Sequence, residues 1–444
     1  MGTGYLALTD ADRAAMLRAI GVASVEQLFA DVPEQVRLER DLELPSPASE
    51  LEVERELSAL AERNVHNGSE LSFLGAGIYD HYVPAIVEAV VSRPEFLTAY
   101  TPYQPELSQG VLQAIFEYQT VICELTGMEV SNASGYDGAT VAADACFMAA
   151  HATGRKKIAI AETVSPQVRQ VVKAYAPGFG LEIVEIPHSG GVTDPEALLA
   201  ASQDAAAAIF QQPNFFGCLE PAPDLACAAS EAGALAVAHV DPLSLGVLEA
   251  PGAYGCQIAI GEGQAAGNRP SFGGPHFGFL AAKKELIRRM PGRITGQTVD
   301  RSGRRGFVLT FQTREQHIRR EKATSNITTN QSLCALAGLV YLSWLGPKGL
   351  RQLGETCLGL AELAKEKLAL PLAFEAPASK ELAFRLDRPA EAVVREAKKK
   401  GVNPGYPLGR DYPGMEDVLL VALTEKRSPA DIERLAEVLG EVLR

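Results

Sequence analysis

The residues best placed to do chemistry follow two apolar stretches in the middle of the chain. The run 235–240 (LAVAHV) is typical of a buried strand and is followed at once by Asp241. The run 257–261 (QIAIG) is typical of a second strand, and a glycine-rich loop, 273–278 (GGPHFG), comes after it. Because a carboxylate at the end of a strand can hold a protonated ring nitrogen, this region predicts a ligand pocket.

One residue type is missing from that pocket. Many enzymes that use pyridoxal phosphate place an aspartate at the end of one strand, where it keeps the ring nitrogen protonated. They place a lysine just after the next strand, where it forms an imine with the cofactor. This chain has no lysine between Lys173 and Lys283. Either the pocket has another role, or the chemistry belongs to a partner chain.

A second set of polar side chains lies in a proline-containing segment, 96–110 (FLTAYTPYQPELSQG). Pro102 and Pro105 keep the residues before them out of the helical conformation, ahead of a helix that begins near Ser108. The segment therefore holds its side chains in set directions. The side chains that it could aim into a cleft are Tyr100, Thr101, Tyr103 and Gln104. The alternative is a plain connector whose tyrosines pack on the core.

A third segment, 132–140 (NASGYDGAT), could bind an anion. It is a turn of small polar residues and glycines that leads into an alanine-rich helix. The amino end of such a helix exposes N–H groups, and the helix dipole adds to their attraction for phosphate. The alternative is an ordinary helix cap.

A fourth segment, 309–330, combines a run of charges with a polar tail. The charged part includes Arg314 and His317, and the tail contains Thr324, Ser325 and Asn326. A charge run is normally a solvated helix face, but hydroxyl and amide side chains after it are suited to oxyanions. His317 has no second histidine or cysteine at a suitable spacing, so we expect no metal site there.

These segments are set in an alternation of helices and short apolar strands from about 69 to 282. Strands are predicted at 157–161, 181–186, 206–210, 235–240, 257–260 and 277–281, and helices at 84–92, 110–125, 140–152, 165–176 and 222–232. Strands that are apolar on both faces and separated by helices predict an α/β fold, with a mostly parallel central sheet and helices on both faces. Ligands then bind at the carboxyl ends of the strands.

The chain is predicted to divide into three parts. Residues 1–68 form an N-terminal helical segment that includes a helix capped by Ser49, and residues 69–330 form the large α/β domain. Residues 331–444 form a small α+β C-terminal domain. It begins with a long helix that is interrupted at Gly346 and Pro347. Strand-like stretches at 372–375 and 382–386 and helices at 390–400 and 429–443 complete it.

Composition excludes several classes of function. The formal net charge of −14 over 444 residues argues against nucleic-acid binding, which depends on neutralising phosphates. The seven cysteines are scattered, without a C-x-x-C pair or zinc-like spacing, and are expected to be structural. We find no signal peptide and no apolar run of the roughly 20 residues that cross a bilayer. We therefore expect a cytoplasmic protein that binds neither nucleic acid nor a membrane.

Taken together, these segments resemble the amino-terminal half of the glycine decarboxylase family, the P-protein of the glycine cleavage system. The strings that carry the resemblance are YTPYQPELSQG (100–110), NASGYDGAT (132–140), REQHIRREKATSNI (314–327), SFGGP (271–275) and MPGR (290–293). The resemblance extends from the early helices to about Leu350. Beyond that point it is only general.

That family occurs either as one long chain with two homologous halves or as two subunits of about this length. The resemblance is to the first subunit, called alpha or subunit 1, which lacks the cofactor lysine. It implies the fold of the type I pyridoxal-phosphate-dependent transferases. It also implies a partner, the pyridoxal 5'-phosphate-bearing subunit 2, in an α2β2 assembly. The implied reaction decarboxylates glycine and transfers the aminomethyl group to the lipoyl group of H-protein.

The resemblance also implies roles for individual residues. Tyr100, Thr101, Tyr103 and Gln104 are expected to reach the partner's pocket, and Arg314 and His317 to order a loop or meet the substrate carboxylate. Thr324, Ser325 and Asn326 resemble a loop that touches the neighbouring subunit's cofactor phosphate. The chain's own pocket, with Asp241 and a lysine position near Gln264, is expected to be degenerate.

Two other classes of function compete with this interpretation. A scaffold that only stabilises its partner has no need of the hydroxyls and amides in 100–109. An independent binder of phosphate ligands or RNA through 314–322 is disfavoured by the acidic net charge. A separate hypothesis is that the basic stretch 283–322 steers an acidic carrier protein toward the site.

Overall fold

The computed structural model describes residues 7–38, 40–323, 327 and 329–444. By its internal contacts the chain divides into two compact units, Met1–Val65 and His66–Arg444.

The first unit contains short helices and extended segments. Helices α1 (Asp10–Ile20) and α2 (Glu50–Ala61) both begin at capping boxes, formed at Thr9 and Ser49 respectively. Turns of 3-10 helix lie at Glu26–Phe29 and Glu34–Val36. No residue of these four elements is buried. The predicted cap at Ser49 is confirmed.

The second unit alternates strands and helices. Its strands are β1 (Leu71–Ser72), β2 (Val130–Ser131), β3 (Lys157–Ala161), β4 (Glu182–Ile186), β5 (His188–Ser189), β6 (Val192–Thr193), β7 (Ala205–Gln212), β8 (Leu235–Val240), β9 (Ile258–Glu262), β10 (Gly278–Ala282), β11 (Ile294–Val299), β12 (Arg305–Thr310), β13 (Glu381–Arg385), β14 (Val402–Asn403), β15 (Tyr406–Pro407) and β16 (Val418–Ala422). Its helices are α3 (Ala85–Val91), α4 (Pro94–Leu97), α5 (Gln109–Thr126), α6 (Gly138–Thr153), α7 (Pro166–Phe179), α8 (Pro195–Ser202), α9 (Ala222–Glu231), α10 (Gln316–Arg319), α11 (Ser332–Leu368), α12 (Ala390–Lys398) and α13 (Pro429–Val442).

A seven-stranded sheet forms the centre of this unit, in the order β2-β10-β9-β8-β7-β3-β4. Strands β9, β8, β7, β3 and β4 pair in parallel, and β10 is antiparallel to both β9 and β2. Every residue of β7 is buried. Because successive side chains point to opposite faces, both faces of the sheet must be covered. Helices α6, α8 and α9 pack on these strands, and the predicted α/β fold is confirmed.

The carboxyl-terminal region has its own small sheet and core. Strands β13, β16 and β15 pair antiparallel, and their apolar side chains pack with α12, α13 and the end of α11. The sequence did not predict β16. The strand predicted at 372–375 makes only an isolated bridge between Leu372 and Phe384. The start of the unit joins this region, since β1 pairs with β14.

Helix α11 is interrupted at the predicted position. Gly346 has φ 59° and ψ −178°, which is not helical, and Pro347 follows it. By length and composition alone, Ser332–Leu368 could cross a membrane, but half of its most apolar stretch is buried inside the protein. Its buried side chains, such as Leu339 and Tyr341, belong to the main hydrophobic core.

Candidate active-site surface

The proline-containing segment between α4 and α5 exposes its tyrosines. Tyr100 is 77% exposed and Tyr103 is 49% exposed, so neither packs in the core as a plain connector would require. The Tyr100 hydroxyl lies 3.0 Å from Thr329 Oγ1. On the same segment Thr101 is half-buried and Gln104 is exposed. The segment therefore presents hydroxyl and amide groups at the surface of this chain.

A buried arginine lies beneath Tyr103. Arg293 is only 4% exposed, its Nη2 donates to the Tyr103 hydroxyl at 3.0 Å, and its guanidinium carbon lies 5.3 Å from the Tyr103 ring centre. Glu315 lies 3.9 Å from Arg293 Nε and 3.7 Å from His317 Nδ1. The rings of Tyr103 and His317 meet edge to face, with centres 5.9 Å apart. Tyr103 and His317, two predicted site residues, are therefore brought together.

Arg314 belongs to the adjoining wall of this surface. Its Nε donates to the Phe311 carbonyl at 3.1 Å and its Nη2 to the Gly292 carbonyl at 3.0 Å. Its Nη1 is buried and has no hydrogen-bond partner among the described residues. Burial lowers the pKa of Arg314 to about 10, so the guanidinium is still charged at neutral pH. A small cavity beside it is lined by Arg293, Arg314 and Ile327, among others.

The three residues predicted to contact the partner's cofactor phosphate lie outside the described residues. They are Thr324, Ser325 and Asn326. The flanking positions are described. Asn330 Nδ2 donates to Ser134 Oγ at 2.8 Å and to the Ala133 carbonyl at 3.2 Å. These bonds tie the end of the 309–330 segment to the 132–140 turn.

The 132–140 turn uses its N–H groups for structure. Asn132, Ala133 and Gly135 donate their backbone N–H groups to the carbonyls of Leu280, Arg293 and Gly278. The N-cap of α6 is Asp137, whose carboxylate accepts from Thr140 N–H at 2.7 Å. These donors are thus already used within the chain, and the helix-cap alternative describes the turn better than an anion site does.

A β-hairpin that the sequence did not predict positions both arginines. Arg293 directly precedes β11, and Arg314 follows the end of β12. Two glutamines of α5 hold this hairpin by paired backbone bonds. Gln109 bonds to the N–H and carbonyl of Phe307 at 2.8 and 2.9 Å, and Gln119 bonds to those of Thr295 at 2.9 and 3.0 Å.

Sequence reasoning therefore missed three contributors to this surface. Arg293 entered only as part of a motif and of the basic stretch 283–322, although an arginine directly before the apolar start of a strand is a detectable signal. Gln109 was noted only as part of the proline-containing segment, and Gln119 was not noted. The positions of Gln109 and Gln119 on α5 do not by themselves indicate that both bind one hairpin, because the hairpin was not predicted.

The chain's own pocket at the end of β8 is filled by other side chains. Asp241 Oδ2 is 2.7 Å from the ammonium of Lys380, which reaches it from the residue before β13. Gln264, in the predicted lysine region, is bonded to the backbone N–H and carbonyl of Tyr79 at 2.8 and 3.0 Å. An aspartate paired with Lys380, and a glutamine in the region after β9 where the imine-forming lysine is expected, do not fit pyridoxal phosphate.

Known proteins of one family are similar to this chain along almost its whole length. The family described as glycine cleavage system P-protein matches residues 3–439. The probable glycine dehydrogenase (decarboxylating) subunit 1 of Geobacillus kaustophilus (strain HTA426) is 51% identical over 98% of both chains. The same protein of Moorella thermoacetica is 49% identical over 99% of both chains.

Solved structures give the same result. The crystal structure of glycine decarboxylase (P-protein) of the glycine cleavage system, in inhibitor-bound form, superposes with a TM-score of 0.90. It is 45% identical and covers 99% of this chain and 100% of its own. A sphingosine-1-phosphate lyase from Burkholderia pseudomallei shares the fold alone, with a TM-score of 0.65 and 16% identity over 93% of this chain and 94% of its own. The chain belongs to the glycine cleavage system P-protein family and has the fold of the type I pyridoxal-phosphate-dependent enzymes.

Proposed function

We propose that this chain is the subunit of glycine decarboxylase that does not anchor pyridoxal phosphate, and that it completes the active site of a lysine-bearing partner. One combined observation carries the proposal. The chain is similar over its full length to subunit 1 proteins, and it has no lysine between Lys173 and Lys283, where the cofactor would be anchored. The complete enzyme decarboxylates glycine and passes the aminomethyl group to the lipoyl group of H-protein.

The cofactor on the partner supplies the electron sink that allows glycine to lose its carboxylate as carbon dioxide. This chain contributes binding and orientation. The Tyr103 hydroxyl accepts a hydrogen bond from Arg293, so it is oriented to donate its own proton elsewhere. Tyr103 is half exposed, and a ligand in a cleft between the two subunits would receive that bond. Tyr100, Thr101 and Gln104 extend the same polar surface.

Arg314 is proposed to bind the substrate carboxylate or order the loop beside it. Its guanidinium is charged, largely buried, and retains one nitrogen without a hydrogen-bond partner among the described residues. A buried charge with spare donor capacity is well suited to an anionic group, because a charge-assisted bond replaces lost solvation. His317 is proposed to act through Glu315, and Thr324, Ser325 and Asn326 to reach the partner's cofactor phosphate.

The tyrosines provide the most direct test. In the complex reconstituted with the partner subunit, Tyr100→Phe and Tyr103→Phe are each expected to slow release of labelled carbon dioxide from glycine by about tenfold or more. In the proposed cleft each hydroxyl bonds a charged ligand, and removing such a hydrogen bond costs about 1.5–3 kcal/mol. Tyr175→Phe is the matched control, because it removes the hydroxyl of another exposed tyrosine, on α7.

The same experiment separates a catalytic subunit from a scaffold. Loss of turnover with unchanged assembly, measured by light scattering of the complex, supports the proposal. Wild-type turnover in both variants would leave a scaffold as the better account. The full-length similarity to proteins named as enzyme subunits favours the catalytic function.

The assembly and its location complete the proposal. We infer an α2β2 complex with the cofactor-bearing subunit 2, in the cytoplasm, with lipoylated H-protein as the carrier. The designation "subunit 1" of the relatives supports the existence of a partner subunit. Mass measurement of the purified complex would determine the stoichiometry.

A further inference from the structure

The strongest feature outside the proposed surface is a cluster of buried charges at the end of β8. The Asp241 carboxylate is bonded to the Lys380 ammonium at 2.7 Å and to the Ser244 hydroxyl at 2.6 Å. The side chains of Asp241 and Lys380 are only 12% and 7% exposed. The Lys380 ammonium also lies 3.7 Å from the Tyr79 ring centre and 3.1 Å from His81 Nε2. The Lys380 ammonium therefore occupies the side of Asp241 where a cationic group of a ligand would bind.

A second side chain occupies the amino end of α6. Glu262, at the end of β9, accepts hydrogen bonds from the backbone N–H groups of Gly138 and Gln264, both at 2.9 Å. The approach is close, since a Cβ on Gly138 would lie 2.9 Å from the Glu262 backbone nitrogen and Cβ. Burial raises the pKa of Glu262 to about 8, so the carboxyl group is largely protonated at neutral pH. It still fills the place where an anion would meet the helix.

The two groups line one pocket that has little space left. Asp241, Glu262 and Lys380 all contribute to its wall, together with His239 and Glu381, and the free volume is about 30 Å³. That is room for roughly one or two water molecules. Both ring nitrogens of His239 are buried without a hydrogen-bond partner among the described residues, and burial lowers the pKa of His239 to about 4. The remaining volume is consistent with water beside a neutral imidazole and is far too small for a substituted pyridine.

The roof of the pocket comes from the carboxyl-terminal region and is held tightly. Glu381 Oε2 accepts from the Tyr79 hydroxyl at 2.6 Å, and Glu381 Oε1 accepts from Ala76 N–H at 2.7 Å. Gly217 lies so close that a Cβ there would be 2.2 Å from the Glu381 carbonyl oxygen. These contacts fix Glu381, and Lys380, the residue before it, therefore meets Asp241 from the start of β13.

We propose that this pocket is a cofactor site closed by the chain's own side chains. Lys380 takes the position on Asp241 that a protonated ring nitrogen would take, and Glu262 takes the Gly138 N–H at the start of α6 that a phosphate would take. The pocket therefore excludes pyridoxal phosphate. On the proposed function, on which this count rests, the partner holds one cofactor and each pair of subunits contains one. The closure depends only on residues of this chain and is independent of the roles proposed for Tyr100 and Tyr103.

Binding of a cofactor analogue tests the closure. Pyridoxine 5'-phosphate is the suitable probe, because it has the ring nitrogen and phosphate but no aldehyde to react with surface lysines. By equilibrium dialysis, the purified wild-type chain is expected to show no saturable binding. The double variant Lys380→Ala/Glu262→Ala is expected to bind at least tenfold more tightly than the control Lys367→Ala/Glu433→Ala, which removes a more exposed lysine–glutamate pair.

Two results would overturn the proposal. One is saturable binding by the wild-type chain, and the other is a folded double variant that binds no better than the control. If the double variant does not fold, cofactor released by alkali from the wild-type complex decides the matter. One molecule per pair of subunits supports closure, and two molecules per pair contradict it. The proposed function is tested separately, since wild-type carbon dioxide release in the tyrosine variants would refute it. That result would not change the number of cofactor molecules per pair of subunits.

Discussion

Arg293 links the stability of the chain to the orientation of a candidate site residue. A guanidinium removed from water costs several kcal/mol unless charged or polar groups surround it. For Arg293 those groups include Glu315 at 3.9 Å and the ring and hydroxyl of Tyr103. Tyr103 is therefore held in place by an interaction that the fold itself requires. This arrangement gives a half-exposed tyrosine a fixed direction before any partner is present.

Glu262 is expected to make the stability of the chain depend on pH. Burial raises its pKa from 4.5 to about 8 in the folded chain, and an unfolded glutamate titrates near 4.5. Between these values the folded state keeps a proton that the unfolded state has released. The stabilisation is therefore complete below about pH 4.5 and is lost as pH rises through about 8. Glu262→Gln keeps the shape and removes the titration.

The measurement is denaturant unfolding of both proteins across that pH window. The wild type is expected to lose stability relative to Glu262→Gln as pH rises, by a few kcal/mol in total. Other titrating groups, such as Asp241, are common to both proteins and cancel in the difference. A constant difference between the two proteins from pH 5 to pH 8 would show that Glu262 is not protonated in the folded chain.

At the scale of elements, the β11–β12 hairpin depends on the glutamines of α5. Gln119 is buried and satisfies the backbone N–H and carbonyl of Thr295, also buried. Gln119→Leu leaves both groups without a partner, at about 1–3 kcal/mol each. We expect a loss of about 2 kcal/mol or more in the free energy of unfolding, and slower turnover because the hairpin carries Arg293 and Arg314.

Gln113→Leu on the same helix is the matched control. Gln113 is exposed and bonds only to Glu117 among the contacts described, so its loss should change stability by less than about 0.5 kcal/mol. Urea unfolding gives the stability, and hydrogen exchange at the Thr295 amide reports the hairpin directly. Equal stability of the two variants would mean that α5 does not hold the hairpin.

The central sheet could be predicted because its strands carry their own signal. The predicted bounds of β3 and β8 agree with the structure at both ends, since each is a short apolar run that ends at an acidic residue, Glu162 or Asp241. β12 has no such pattern, because it begins at an arginine and a glycine and is stabilised by pairing with β11 and by Gln109. β16 is apolar throughout but lies far in sequence from its partner β13, so its pairing depends on tertiary structure.

Part of the candidate site could also be predicted from local sequence patterns, and part could not. The segment with Tyr100 and Tyr103 could be identified because prolines restrict its backbone. The role of Lys380 could not, because 139 positions separate it from Asp241 and no local pattern connects a lysine before β13 with the end of β8. Contacts of that kind become visible only when the carboxyl-terminal region is placed over the sheet.

At the scale of the whole molecule, charge is distributed unevenly. The chain has a net charge of −14, yet 283–322 contains twelve basic residues and four acidic ones. Arg301 and Arg305 at the turn of the β11–β12 hairpin are exposed, and Arg304 there is paired with Asp300. A basic surface on an acidic protein attracts an acidic partner locally, while the rest of the molecule repels it.

This asymmetry predicts a salt-sensitive encounter with the proposed carrier, lipoylated H-protein. The apparent KM for the carrier is expected to rise several-fold between about 0.01 M and about 0.15 M salt, as the screening length falls from about 30 to about 8 Å. The kcat should change little, because steering acts on association.

Arg301→Gln/Arg305→Gln should raise KM at low salt and flatten its salt dependence. Lys398→Gln/Lys399→Gln, two exposed lysines at the end of α12, is the control of equal charge. A KM that does not respond to salt, or an equal response in the control, would assign the basic stretch to stability and solubility instead of steering.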